Sequence, residues 1–289
     1  MTSNRAKGRN VHLYVFSEPD KPIGGLKLNP SVTERSLHAE NPHCGHRVTL
    51  RSTGDDVMPT EDALKPGHYD LRPYSPRDKI AMTDEPCITR ILSRTNTGRD
   101  EISRARVRAR DGKCAITGTV NINAPDDIWR GFEAAHIFPL SSEDYWVQNG
   151  YSQLVTNRVS ECDTGINSSQ NELLMLSNIH QSFDGFDFSI NPDDGYKITC
   201  FDKDVFNIDG RELDSICREP NGEECARDEL LRWHFHQAVL ANMRGAGEPV
   251  FEMDFPPGSD MVGEILSSPQ ANKRMEAELF SRLNGISFT

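Results

Sequence analysis

Two short apolar runs, each ending or opening on a residue with useful chemistry, constrain this chain more than anything else in it. The first, FEAAHIFPL at 132–140, carries His136. The second, NELLML at 171–176, opens on Asn171 and leads into NIHQSFD, which carries His180 and Asp184. Runs of this kind read as strands, here expected over 132–138 and 171–176, with a helix containing 179–184. Strand, loop, strand and helix then form a compact path that brings a His, an Asn and a His together. On the helix, the i, i+4 step from His180 to Asp184 sets an imidazole and a carboxylate on one face, about one turn apart.

These words, with CAITG at 114–118, EAAHIFPL at 133–140, and the nine-residue step from Asn171 to His180, resemble the HNH nucleases. Their ββα-metal module would span roughly Cys114 to Ile198. The resemblance implies that His136 is the general base, that Asn171 holds the loop and orients that base, and that His180 is a metal ligand. It also implies a divalent ion, Mg, Mn or Zn, and DNA or RNA as substrate. The rest of the chain resembles the flanks of fungal proteins that carry this domain.

The residue types suit the chemistry. Phosphodiester hydrolysis needs a water activated near neutral pH, and an imidazole with an ordinary pKa near 6.5 can do that. A divalent ion can stabilise the phosphate and leaving oxygens as a Lewis acid. Asp184 is the candidate second ligand beside His180, and Asp187 a weaker substitute. Many members of the family place an Asp or His immediately before the base as a further ligand, whereas here Ala135 stands there. Glu133 is not expected to fill in, because residues 133 and 135 share one strand face and His136 points to the other.

Composition bounds the rest. A chain of 289 residues can bury a sizeable core, and 36% hydrophobic content argues against wholesale disorder. No apolar run is long enough to span a membrane, the start MTSNRAKGRN lacks a signal-peptide core, and seven cysteines without a CxxC pair fit reduced thiols. An intracellular protein is expected. The net charge of −12 divides as +2, −6 and −8 over residues 1–100, 101–200 and 201–289. The local exception is Arg99, Arg104, Arg106, Arg108, Arg110 and Lys113. If the chain binds nucleic acid, several of these side chains should line the approach to His136, with Arg104, Arg106 and Arg108 as phosphate contacts. On the alternative, they form a solvated face paired to acids.

The expected fold class is α+β: a β-rich region at 1–83, the ββα-metal module with a preceding helix and an insert at 84–202, and a mostly helical region at 203–289. Strands are expected at 11–16, 46–54 and 64–73, and helices at 84–113, 223–243 and from Ser268. A final hairpin is expected between YKITCF and FNIDG. The insert at 141–165 holds Trp146, Tyr151 and Asn157. His43, Cys44 and His46 read as a polar loop, and His234 and His236, two apart, as structural or exposed. The leading function is a metal-dependent endonuclease. The alternative is the same fold turned to a small molecule, cyclase-like, in fungal secondary metabolism, which acidity, Ala135 and the insert would favour. A non-catalytic interaction protein is the third reading.

Overall fold

The computed structural model describes residues 9–20, 22–28, 32–34, 46–60, 62–75, 80, 98–158, 163–219 and 222–243. The expectations for 84–97, for His43 and Cys44, and for the helix from Ser268 lie outside them. The chain is mixed α+β and divides into two compact units, 1–89 with 237–289, and 90–236.

The first unit is built on a five-stranded sheet. Its strands are β1 (Val11–Val15), β2 (Gly24–Leu26), β3 (His46–Leu50), β4 (Asp56–Val57) and β5 (Gly67–Pro73), in the order β2-β1-β5-β3-β4. β1 and β5 run parallel and the other pairs antiparallel. All three expected strands are present. Val11, Val48 and Tyr69 are buried, as alternation on a half-buried sheet requires.

The second unit opens with α1 (Gly98–Asp111), which stops at Gly112. Gly112 takes φ +60°, a conformation that costs little without a Cβ, and its N–H reaches the Arg108 carbonyl at 3.0 Å. CAITG forms a turn: Cys114 N–H bonds Thr119 O at 2.9 Å and Gly118 takes φ +74°. Next come β6 (Phe132–His136), α2 (Glu143–Gln148), β7 (Glu172–Leu176) and α3 (Ser177–Asp184). β6 and β7 pair antiparallel, with Ala135 opposite Leu173 and His136 opposite Glu172. Ala135, Leu173 and Met175 are fully buried on one face. β6 ends short of the expected 138 because Asn171 takes over the ladder there, and Pro139 has no N–H to continue it. On α3, Ile179 and Phe183 recur at i, i+4 and are fully buried, leaving His180 and Asp184 on the neighbouring stripe.

The part of the insert from 143 to 154 is packed against the core. Trp146 is fully buried, and the Phe138 ring lies 5.1 Å from Trp146, 5.0 Å from Tyr151 and 4.2 Å from Trp233. Packing of this kind fastens 143–154 to the segment just after His136.

The expected hairpin forms with a different partner. β8 (Phe188–Asn191) pairs β9 (Lys197–Cys200) across NPDDG. There Asn191 accepts the Asp193 N–H at 3.1 Å and Gly195 takes φ +63°. FNIDG is instead wound around Asp204, whose carboxylate accepts the N–H groups of Phe206, Ile208 and Asp209, so they cannot join a ladder. α4 (Asp228–Met243) follows, its residues up to His236 belonging to this unit. His234 is buried and structural: it bonds Ser189 Oγ at 2.7 Å and stacks on Phe183 at 3.7 Å between centroids. Among the described residues no helix is long and apolar enough to cross a membrane.

Candidate active site

A polar run supports the site from below. Ser168, Ser169, Gln170, Asn171 and Glu172 are all buried, which is tolerable only if their polar groups are paired. Arg110 does much of that pairing. Its guanidinium donates to Ser169 O and Glu172 O, both at 2.8 Å, and to Glu224 O at 2.5 Å, and is held by Asp111. Asp111 also accepts the Leu174 N–H at 2.8 Å. From the other side, Asn157 donates to Ser169 Oγ at 2.6 Å, and Gln170 donates to Thr156 Oγ1 and Glu223 O. The start of β7 is therefore fixed by charged and amide groups distant in sequence.

Asn171 is fully buried and clamps the segment after β6. Its Oδ1 accepts the Phe138 N–H at 2.8 Å, and its Nδ2 donates to Phe138 O at 3.1 Å and Ile166 O at 2.9 Å. It thus acts on the backbone beside His136 rather than on the ring. The ring is held by two other residues. His136 Nε2 lies 3.0 Å from Asn167 Oδ1 and 3.2 Å from Glu172 Oε1. A carboxylate only accepts, so Nε2 carries the hydrogen, and in the neutral ring the lone pair falls on Nδ1.

His180 has its own pair of carboxylates. Nε2 lies 3.2 Å from Asp184 Oδ2, and Nδ1 lies 2.7 Å from Glu133 Oε2. Burial works against the charged ring, but Asp184 and then Glu133 outweigh it and raise the His180 pKa above the ordinary histidine value. Glu133 is on the β6 face opposite His136, as strand alternation requires, yet it reaches the helix. Asp187 is exposed, ahead of β8, and is not one of these two partners.

His180 and Asp184 can offer two ligands to one ion, while Glu133 holds the far nitrogen of the same imidazole. That arrangement matches the carboxylate–histidine–metal pattern. Two protein ligands fit a hydrated ion of the Mg or Mn kind, which keeps several waters and takes phosphate oxygens. They do not make a closed four-ligand zinc site. Among the described residues no group of three or more His, Cys, Asp or Glu side chains is disposed to hold a metal, because Glu133 and Asp184 stand at opposite edges of the ring.

The basic cluster scatters over the faces of α1 and beyond. Arg110 is buried in the support just described. Arg106 donates to Asn157 O at 2.9 Å, and Lys113 pairs with Asp214 at 2.6 Å. Arg104 and Arg108, one turn apart, stay together and face a cleft with Trp129.

Sequence reasoning missed Asn167 and Glu172 and discounted Glu133. Asn167 and Glu172 sit in a polar run that looks like a turn. The signal available was Glu172 at the start of an otherwise apolar strand. Residues 114–191 match the family described as HNH endonuclease, and residues 8–78 match a family described as a domain of unknown function. No curated protein and no solved structure matches the chain.

Proposed function

We propose, from the match of residues 114–191 to the family described as HNH endonuclease, that the protein is a metal-dependent endonuclease hydrolysing phosphodiester bonds of DNA or RNA. The observation that carries the assignment of roles is the grip of Glu172 and Asn167 on His136 Nε2. With the hydrogen on Nε2, the basic lone pair is on Nδ1, which would take the proton of the attacking water, with Glu172 favouring the imidazolium that results. Asn171 positions that ring indirectly, by fixing the backbone of Phe138. His180 and Asp184 would hold the divalent ion, and Glu133 orients His180 from the other side. The ion, when bound, supplies Lewis-acid charge to the phosphate and leaving oxygens.

The test is incubation of the purified protein with plasmid and with RNA across Mg, Mn, Zn, Ni and chelator. Cleavage that requires a divalent ion and stops with chelator supports the proposal. Intact substrates under every condition would overturn it, and the small-molecule reading would then come first.

A further inference from the structure

We infer that the cleft between α1 and the turn ahead of β6 binds one nucleotide of a nucleic-acid strand, with Arg104 and Arg108 on its phosphate and Trp129 against its sugar and base. The site rests on the reading of the chain as a nucleic-acid enzyme and names where the strand is gripped outside the hydrolytic residues.

The cleft has a volume of about 520 Å³, enough for a nucleotide-sized group. Two guanidinium groups at i, i+4 repel one another at a cost of roughly 0.2–0.5 kcal/mol, which an anion between them would relieve. Among the described residues, neither Arg104 nor Arg108 forms a salt bridge, and Arg108 Nε is buried without a hydrogen-bond partner. Burial, and then the charge of Arg104, push the Arg108 pKa down, while Asp127 and Glu101 pull it up. Both acids line the cleft, but Asp127 is occupied in accepting Trp129 Nε1–H at 2.8 Å. A phosphate would relieve the repulsion and accept from the two forks.

The remaining walls suit a flat group. Arg108 lies 5.0 Å from the Trp129 ring centroid, which gives a cation and an aromatic surface side by side. Nucleobases stack on aromatic and guanidinium planes alike. Ala105 and Ala109 keep the α1 side low. A short stretch of chain connects the cleft to β6 and α3. Trp129 O accepts the Phe132 N–H at 3.0 Å, and Gly131 O accepts the Ser177 N–H at 3.0 Å, at the start of α3. Glu133 is four positions beyond Trp129, a span of at most about 14 Å. A nucleotide in the cleft would therefore lie within a few nucleotides of the bond to be cut.

Trp129 makes the site directly observable, since Trp146 and Trp233 are buried. The experiment titrates the full chain in EDTA, so that nothing is cut, with a short single-stranded oligothymidylate and separately with inorganic phosphate. Plasmid cleavage is scored in parallel with divalent ions. Saturable quenching by the oligonucleotide is expected, with phosphate alone acting only at far higher concentration. Trp129→Phe should remove the signal. The double variant Arg104→Gln/Arg108→Gln should bind about tenfold or more weakly and show a shallower dependence on salt. If that variant does not fold, Arg104→Gln alone serves, since it disturbs no ion pair. A folded variant with unchanged affinity and salt slope overturns the cleft, and leaves the nuclease proposal standing if the wild type still cuts. Arg-dependent quenching without cleavage upholds the cleft and removes the nuclease proposal. Neither binding nor cleavage overturns both.

Discussion

Glu133 and His180 are joined at 2.7 Å, and the same carboxylate accepts the Ser177 hydroxyl at 2.9 Å, so one residue of β6 fastens the first turn of α3. This contact fixes which imidazole nitrogen faces Asp184. Glu133→Gln should therefore keep the fold but weaken divalent-ion affinity by about 10–100-fold. Calorimetric titration with Mn measures this, and an unchanged affinity would remove Glu133 from the metal account.

Asn171→Ala should destabilise the protein by roughly 2–4 kcal/mol, because three buried backbone groups lose their partner together. Denaturant unfolding of the variant checks it. A loss under about 1 kcal/mol would mean that the 138 and 166 backbone finds other partners.

Arg110 belongs to the basic cluster of the sequence and is a buried strut in the fold. Arg110→Met leaves Asp111 as an uncompensated buried charge and should cost about 3–5 kcal/mol. Thermal melts at low and high salt distinguish the roles: a large loss at both is expected, whereas near-wild-type stability with weakened nucleic-acid binding would restore the surface reading.

Arg232 holds the Asp193 carboxyl below its usual pKa through bonds of 2.7 and 2.6 Å. A depressed carboxylate contributes stability that is fully present above its unfolded pKa and lost as pH falls through the folded value. Asp193→Asn should thus matter at neutral pH and become silent in strong acid. Both groups are about half exposed, so the effect should be roughly 0.3–1 kcal/mol. Urea unfolding from neutral to strongly acid pH, wild type against variant, tests the sign: a difference that grows in acid would contradict it.

The apolar runs around His136 and Asn171 made the β6–β7–α3 order legible in the sequence, because alternation and helical spacing are local properties. The i, i+4 relation of His180 to Asp184 was legible for the same reason. Glu133 was misjudged because alternation speaks only of the strand's own faces, and its contact is to a helix 47 positions away. Asn167 and Glu172 were hidden because the adjoining 168–172 run is held by Arg110, Asn157 and Glu224, distant side chains that no local pattern announces. FNIDG was mistaken for a strand because its apolar residues obscured the claim of Asp204 on the backbone.

The central claim is that His136, held by Glu172 and Asn167, is the base of a hydrolytic site. The most direct measurement is plasmid cleavage by wild type and by His136→Ala in the presence of Mg or Mn, with circular dichroism and melting used to establish that both are folded. Cleavage by the wild type and its loss in the folded variant, by a factor of about 10²–10⁴ or more, is the predicted result. Equal cleavage by the two proteins would contradict the claim.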